Sequence, residues 1–507
     1  MGRRTNVKRG IIFGVINNVL RLVLPFISRT IMLYIMGVAY LGLGGLFTSV
    51  LNVLSISELG LGAAISYLLY RPVAENDTNK VCAILSFARK SFRYVGIFIL
   101  GSGLILLPFI RYLIKGDVPN DINVYLLYII FLINSVVSYF LFSYKRVLLS
   151  AVQRYDLETI IASVTLIATY LIQILVLLLF ANYYLYAIVF VFTSIVNNIL
   201  CQYVTRRKFP EYVCRGEIGE SEKNEIWKTI KGVFLSKLGS TVYLSVGNIV
   251  ISSIFGLVLL GQYSNYYYVS SCLGAFFAVI NNSLRPSLGN YMITETKEDT
   301  FDKLKKITYA YGWAGALCTC CMLSLFQDFI EIWAGKVNLF TFHFAIVMTL
   351  SFYATRLMAV PSVFVEASGL WHESRYVYII AAIANIVLSI LLSLTMGIVG
   401  VVYSTLITSV FICLSGYVFV LFKYFFKNRQ QLVSYICRFT CDTILQLTAI
   451  TSVVFICNMF KGESVIMLII KGFASFILFS ICYLILGLAN RTQLNDTLKL
   501  IRTTIIH

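Results

Sequence analysis

Apolar residues fill most of the chain in blocks of about 20 or more, separated by short polar connections. Each block is long enough to cross a hydrocarbon core of about 30 Å as a helix. Fourteen such spans are predicted, near 10–34, 41–69, 94–113, 122–144, 158–180, 183–205, 233–257, 261–288, 308–330, 340–365, 376–396, 398–422, 441–460 and 464–488. Continuous runs, rather than alternating ten-residue segments, exclude an outer-membrane barrel. The expected fold class is therefore all-α, a polytopic membrane protein of about fourteen transmembrane helices. The first run is too long for a cleavable signal peptide, and Asn6 stands where a myristoylation signal needs Ser or Thr.

The polar connections are asymmetric in charge. With the N-terminus on the cytoplasmic side, 31 of the 41 Lys and Arg residues fall on that side and four, Arg111, Lys115, Lys336 and Lys461, on the other. The positive-inside rule then places both termini in the cytoplasm and supports an even number of spans. The most polar connection, 206–232, follows six spans, and an internal repeat is visible across it at an offset of 219 residues. Gly37 and Gly42 in RTIMLYIMGVAYLGLGGLF align with Gly256 and Gly261 in NIVISSIFGLVLLGQYSNYYY, each pair at the hairpin joining the first two spans of its half. The division expected from this is an N-lobe of spans 1–6 (residues 1–205), a cytoplasmic connection (206–232), a C-lobe of spans 7–12 (233–425), and an appended pair, spans 13 and 14, with a cytoplasmic tail (426–507).

Composition agrees: 59% of the 507 residues are hydrophobic, 13% are charged and the mean hydropathy is +0.84, against about 25% charged in globular proteins. The net charge of +18 sits mostly in the short connections, which argues against nucleic acid as a partner and for the lipid bilayer. The twelve cysteines are scattered, most of them within apolar runs, where they read as small packing residues.

Six cations lie inside the spans: Arg21, Arg29, Lys237, Arg285, Arg356 and Lys471. The well-embedded acids are Glu58 and Glu366, with Asp328 and Asp442 nearer span ends, so internal pairing leaves positive charge over. Each arginine near a helix centre costs roughly 2.5–3.5 kcal/mol unless it meets water, an acid or an anion. Arg21, Pro25 and Ser28/Arg29 follow at helical steps with Asn18 along one side of the first span, and Leu22, Val23, Phe26 and Ile27 lie on the other. That polar side reads as one wall of an aqueous cavity. Arg21 and Arg356, near mid-span, are expected to line a substrate path. Arg29, Arg285, Lys237 and Lys471 sit nearer span ends, where snorkelling to headgroups competes with that role. Such a surplus of positive charge suits an anionic ligand, and a diphosphate held by the planar guanidinium fork fits it.

Glu58 either pairs with Arg21 or Arg29, or changes protonation or partner during a transport cycle; Glu366, near a span end, is a second candidate for coupling or gating. Tyr263, Tyr266, Tyr267 and Tyr268 read as an interface belt or as sugar-stacking rings. His343 and His372 stand alone, and neither a metal site nor another cofactor is expected.

The run RTIMLYIMGVAYLGLGGLFTSVLNVLSISELGLGAAISYLLYRP, SLRPSLGNYM closing the eighth span, and SGLWHESRYVYIIAAIANIVLSILLSLTMGIVGVVYST across the eleventh and twelfth resemble Wzx-type polysaccharide flippases of the multidrug/oligosaccharidyl-lipid/polysaccharide (MOP) exporter superfamily. The resemblance covers nearly the whole length but rests on small and apolar residues. It implies two six-helix lobes around a central cavity, moving by alternating access. The implied cargo is an undecaprenyl-diphosphate-linked oligosaccharide, carried across the bacterial cytoplasmic membrane for capsule, O-antigen or exopolysaccharide synthesis, with polysaccharide polymerase machinery as a partner. It also implies that Arg21, Arg29 and Arg285 hold the diphosphate, that Glu58 occupies the place of an acid connected with transport, and, by analogy, that H+, Na+ or the membrane potential drives the cycle. A multidrug or cation antiporter of the same superfamily is the nearest rival, although those usually have twelve spans and an acidic site. A membrane enzyme such as an O-unit polymerase or acyltransferase is the other; no large outer loop and no histidine with polar company supports it, and no enzymatic turnover is expected.

Overall fold

The computed structural model describes residues 3–55, 61–460 and 464–488, and among these no strand occurs. In chain order the helices are α1 (Arg3–Ile35), α2 (Val38–Leu54), α3 (Leu61–Ala74), α4 (Thr78–Leu106), α5 (Val124–Phe140), α6 (Ser143–Ala151), α7 (Tyr155–Phe180), α8 (Tyr183–Lys208) and α9 (Glu220–Phe255). They continue with α10 (Leu257–Thr294), α11 (Lys297–Ala334), α12 (Phe342–Ala367), α13 (Trp371–Ser374), α14 (Val377–Met396), α15 (Ile398–Thr408), α16 (Ser415–Val420), α17 (Arg429–Asn458) and α18 (Val465–Leu488). Among the described residues eleven helical stretches are long and apolar enough to cross a membrane, and α5 with α6, bent by 51° at their break, makes a twelfth. The protein is an all-helical, multi-pass membrane protein.

The second and eighth predicted spans are helical without reaching that level of apolarity and length. The second is divided into α2 and α3, with 56–60 outside the described residues. The eighth, α10, carries Gln262, Ser264, Asn265, Asn281, Asn282 and Arg285, which lower its mean hydropathy. Helix starts follow the polar connections. Asn123, Asn182, Thr341 and Asn428 each accept a backbone N–H of the first turn of α5, α8, α12 and α17, satisfying donors that the helix leaves open.

Proximity groups residues 1–261 in one compact unit and residues 262–507 in another. In the first, α2 lies at the centre, with Leu43, Leu46 and Phe47 fully buried and the Phe47 ring edge-on to Tyr128 at 5.7 Å. The 206–232 connection is no free linker: Lys145 Nζ donates to Tyr212 O at 3.0 Å, Cys82 Sγ to Glu211 O at 3.4 Å, and α9 has begun by Glu220. In the second unit, α11 is the core helix, packing on α12, α17 and α18.

The repeated glycines have a common physical role. Gly37 and Gly256 adopt φ of +100° and +88° at the breaks before α2 and α10, a region that only glycine enters at little cost. Five residues on, each repeat places a second glycine at a close approach. A Cβ on Gly42 would strike the Leu257 carbonyl, and one on Gly261 the Val38 carbonyl. The first turn of each helix thus seats on the small residue of the other.

Gly42→Ala and Gly261→Ala should each destabilise the protein by about 1–3 kcal/mol, as overpacking does. Gly101→Ala, where nothing lies within 4 Å of the added methyl, should not. Thermal unfolding in detergent checks this, and equal melting temperatures for all three variants would contradict it.

Candidate functional site

Helix α1 runs unbroken through Pro25 and packs against α7. Asn17 and Ser28 are buried, whereas Val19, Val23 and Ile27 are exposed on the other side. Asn17 Nδ2 donates to Ser163 Oγ of α7 at 2.8 Å, and the Ser28 hydroxyl lies 3.5 Å from that of Tyr186 on α8. The polar stripe expected on α1 is therefore present but rotated, with Asn17 rather than Asn18 on the packed side. Arg21, one turn beyond Asn17, opens onto a cavity of about 270 Å³ within the first unit.

Three further helices build that cavity. The break between α5 and α6 turns the second half of the fourth span so that Arg146 reaches it, and α7 contributes Glu158, Thr165 and Tyr170, α8 Ser194 and Asn197. Arg146 Nη2 donates to Asn197 Oδ1 at 2.7 Å, Asn197 Nδ2 to Thr165 Oγ1 at 2.7 Å, and Ser194 Oγ to Asn134 Oδ1 at 2.9 Å. This chain fixes the Arg146 guanidinium, yet its Nε is buried without a hydrogen-bond partner. The cavity thus holds two guanidinium groups and one carboxylate. Among the described ion pairs none engages Arg21, Arg146 or Glu158.

The sequence placed Arg146 in a cytoplasmic connection and Glu158 at a span boundary, and so missed both. The available signal was SYKRVLLSA, whose polar first half and apolar second half continue the fourth span as a second short helix.

The remaining sequence-derived candidates are distributed. Arg29 is half-buried on α1, within electrostatic reach of Tyr183 and Tyr186. Lys237 is exposed on α9, and Glu58 lies outside the described residues. In the second unit Arg285 Nε sits 2.5 Å from Glu366 Oε2, so these two candidates neutralise one another. Arg356 lies in the same unit, its guanidinium carbon 5.0 Å from the Phe352 ring centre and 5.4 Å from that of Phe277, with Nη2 donating to Thr355 Oγ1 at 3.3 Å. Gly315 leaves room for it, since a Cβ there would lie 3.2 Å from the Arg356 Cβ, whereas one on Gly274 would make only ordinary contact at 3.7 Å. Cation–π contact compensates part of the desolvation of such a group.

Two features differ from expectation. Tyr266 is neither an interface ring nor a free stacking platform; it is fully buried among Phe326, Phe340 and Phe344, and its hydroxyl bonds Gln327 and the Phe340 N–H. Lys471 does not snorkel, because its ammonium is buried against Asp328 at 2.8 Å, joining α18 to α11.

No family model matches the chain, and no curated protein matches it. Solved structures do. A lipid II flippase MurJ in an inward closed conformation superposes with a TM-score of 0.68 over 94% of this chain and 98% of its own, at 15% identity. An inward-facing multidrug resistance MATE family transporter of the MOP superfamily gives 0.62 over 86% and 99%, at 14% identity. A eukaryotic MATE transporter gives 0.54 over 87% and 100%, also at 14% identity. The chain has the fold of these transporters.

Lys471→Met, which leaves Asp328 without its partner, should lower stability by about 3 kcal/mol. The double change Lys471→Met with Asp328→Leu should recover at least half of that loss. Chemical unfolding of the four proteins as a double-mutant cycle measures the coupling, and additive effects would show that the pair does not act as a unit.

Proposed function

We propose that the protein is a flippase that moves an undecaprenyl-diphosphate-linked oligosaccharide across the bacterial cytoplasmic membrane by alternating access, supplying repeat units for a surface polysaccharide such as capsule, O-antigen or exopolysaccharide. The observation that carries this reading is the cavity lined by Arg21 and Arg146, two guanidinium groups against a single carboxylate, in a chain with the fold of transporters. A site of low dielectric with surplus positive charge selects anions, and bidentate guanidinium–phosphate contact gives it geometric preference. Arg29, Arg285, Arg356 and Lys237 belong to the same proposal as further cations along the path, Arg285 being available once Glu366 lets it go. Glu366 is then the gating partner of Arg285, and Glu58 a second coupling acid. Both termini face the cytoplasm, the six-and-six repeat divides at 206–232, and H+ or Na+ supplies the drive.

The rival reading is a multidrug or cation antiporter, which shares the fold. Charge separates the two, because an organic cation is repelled by Arg21 and Arg146. The protein performs no glycosyl or acyl transfer in this account.

Arg21→Ala and Arg356→Ala should each reduce movement of lipid-linked oligosaccharide in reconstituted vesicles at least tenfold, with insertion and melting temperature retained. Unimpaired movement in both single variants and in the double variant would refute the reading. Uptake of a cationic drug abolished by the same changes would favour the antiporter.

A further inference from the structure

We propose that Glu158 is the displaceable counter-charge of the α1/α6/α7/α8 cavity, and that Arg146 holds the phosphate oxygens there together with Arg21. This rests on the reading of that cavity as a cargo site. Arg146 enters it already oriented, tied through Asn197 to Thr165, and still has a buried Nε–H with no acceptor. A buried donor left unmet is unfavourable, and an incoming phosphate oxygen is the kind of partner that satisfies it. Glu158 lines the same space and feels the charge of both Arg146 and Arg21 without being among the described ion pairs.

The charges match the cargo in one protonation state only. With Glu158 ionised the three groups sum to one positive charge; with Glu158 protonated they sum to two, equal and opposite to the two charges of a diphosphate diester. A bound dianion therefore draws a proton from solvent onto the Glu158 carboxylate, and release of that proton weakens the hold on the anion. Thermodynamic linkage makes this reciprocal: anion affinity rises as pH falls. The other titratable groups around this cavity are Asp156, two residues before Glu158 and held by Arg154 at 2.9 Å, Cys201 on α8, and Tyr170 three turns further along α7. A phenol and a thiol ordinarily titrate near 10 and 8.5, above the range concerned, and the arginines stay charged throughout. A proton on Glu158 is thus coupled to cargo capture in the first unit, at a residue distinct from Glu58 and Glu366.

The test is calorimetric titration of the full-length protein in lipid nanodiscs with dimethyl diphosphate, whose two charges do not change between pH 5 and pH 7.5. Wild-type affinity should tighten about tenfold from pH 7.5 to pH 5, the size of one charge interaction of about 1.4 kcal/mol. Glu158→Gln should bind at pH 7.5 as tightly as wild type does at pH 5 and show no pH dependence. Arg146→Gln should weaken binding at least tenfold at both pH values, and Arg146→Lys should restore part of it; if Arg146→Gln fails to fold, Arg146→Lys with an intermediate affinity carries the same information. A wild-type pH profile in Glu158→Gln, or unchanged affinity in the Arg146 variants, overturns the proposal. Proton-linked binding without any movement of lipid-linked oligosaccharide in vesicles would uphold this inference and refute the transport reading. Movement with pH-independent binding would do the reverse.

Discussion

Burying a guanidinium at bilayer depth is the constraint on which the rest of this molecule depends. The cost falls on the fold unless each charge is answered locally, and the interior cations are answered in different ways. Arg285 meets Glu366, Lys471 meets Asp328, and Arg356 lies against the Phe277 and Phe352 rings with Gly315 making room. Arg21 instead opens onto a polar cavity beside a second guanidinium. The two ion pairs are closed within the protein. Arg356, whose Nε is buried without a hydrogen-bond partner, and Arg21 leave electrostatic demand open to a ligand, and that difference separates a paired cation from a candidate ligand-binding one.

What places Arg21 there is helix packing of an ordinary kind. The long contact of α1 with α7, fixed by Asn17 to Ser163, sets the rotation of α1 and so the direction of the residue one turn on. The bend between α5 and α6 supplies Arg146, and Asn197 and Thr165 hold it. The glycine pairs do comparable work at the starts of α2 and α10, where backbone carbonyls replace side chains at the crossing. The site thus depends on the packing of the helices that carry it, and a change in the rotation of α1 would alter it.

The helical, multi-pass architecture was legible because lipid-length apolar blocks leave little alternative, and the Gly37/Gly42 and Gly256/Gly261 spacing marked the hairpins whose geometry demands glycine. The site was legible in part. Arg21 announced itself by sitting mid-span, but Arg146 and Glu158 lie where a span breaks or begins, and hydropathy alone reads such positions as solvent-facing. Pairing was the other blind spot. No pattern in the sequence joins Arg285 to Glu366 or Lys471 to Asp328, residues 81 and 143 positions apart. Tyr266 looked like an interface ring because its neighbours in sequence are tyrosines, whereas its neighbours in space are phenylalanines.

The central claim is that negative charge on the cargo is what the protein selects. Its most direct measurement is leaflet translocation in vesicles containing the purified protein, comparing one oligosaccharide attached to undecaprenol through a diphosphate with the same oligosaccharide attached through an uncharged ether. The account predicts rapid, protein-dependent movement of the diphosphate-linked lipid and background movement of the neutral one. Equal rates for the two lipids would contradict it.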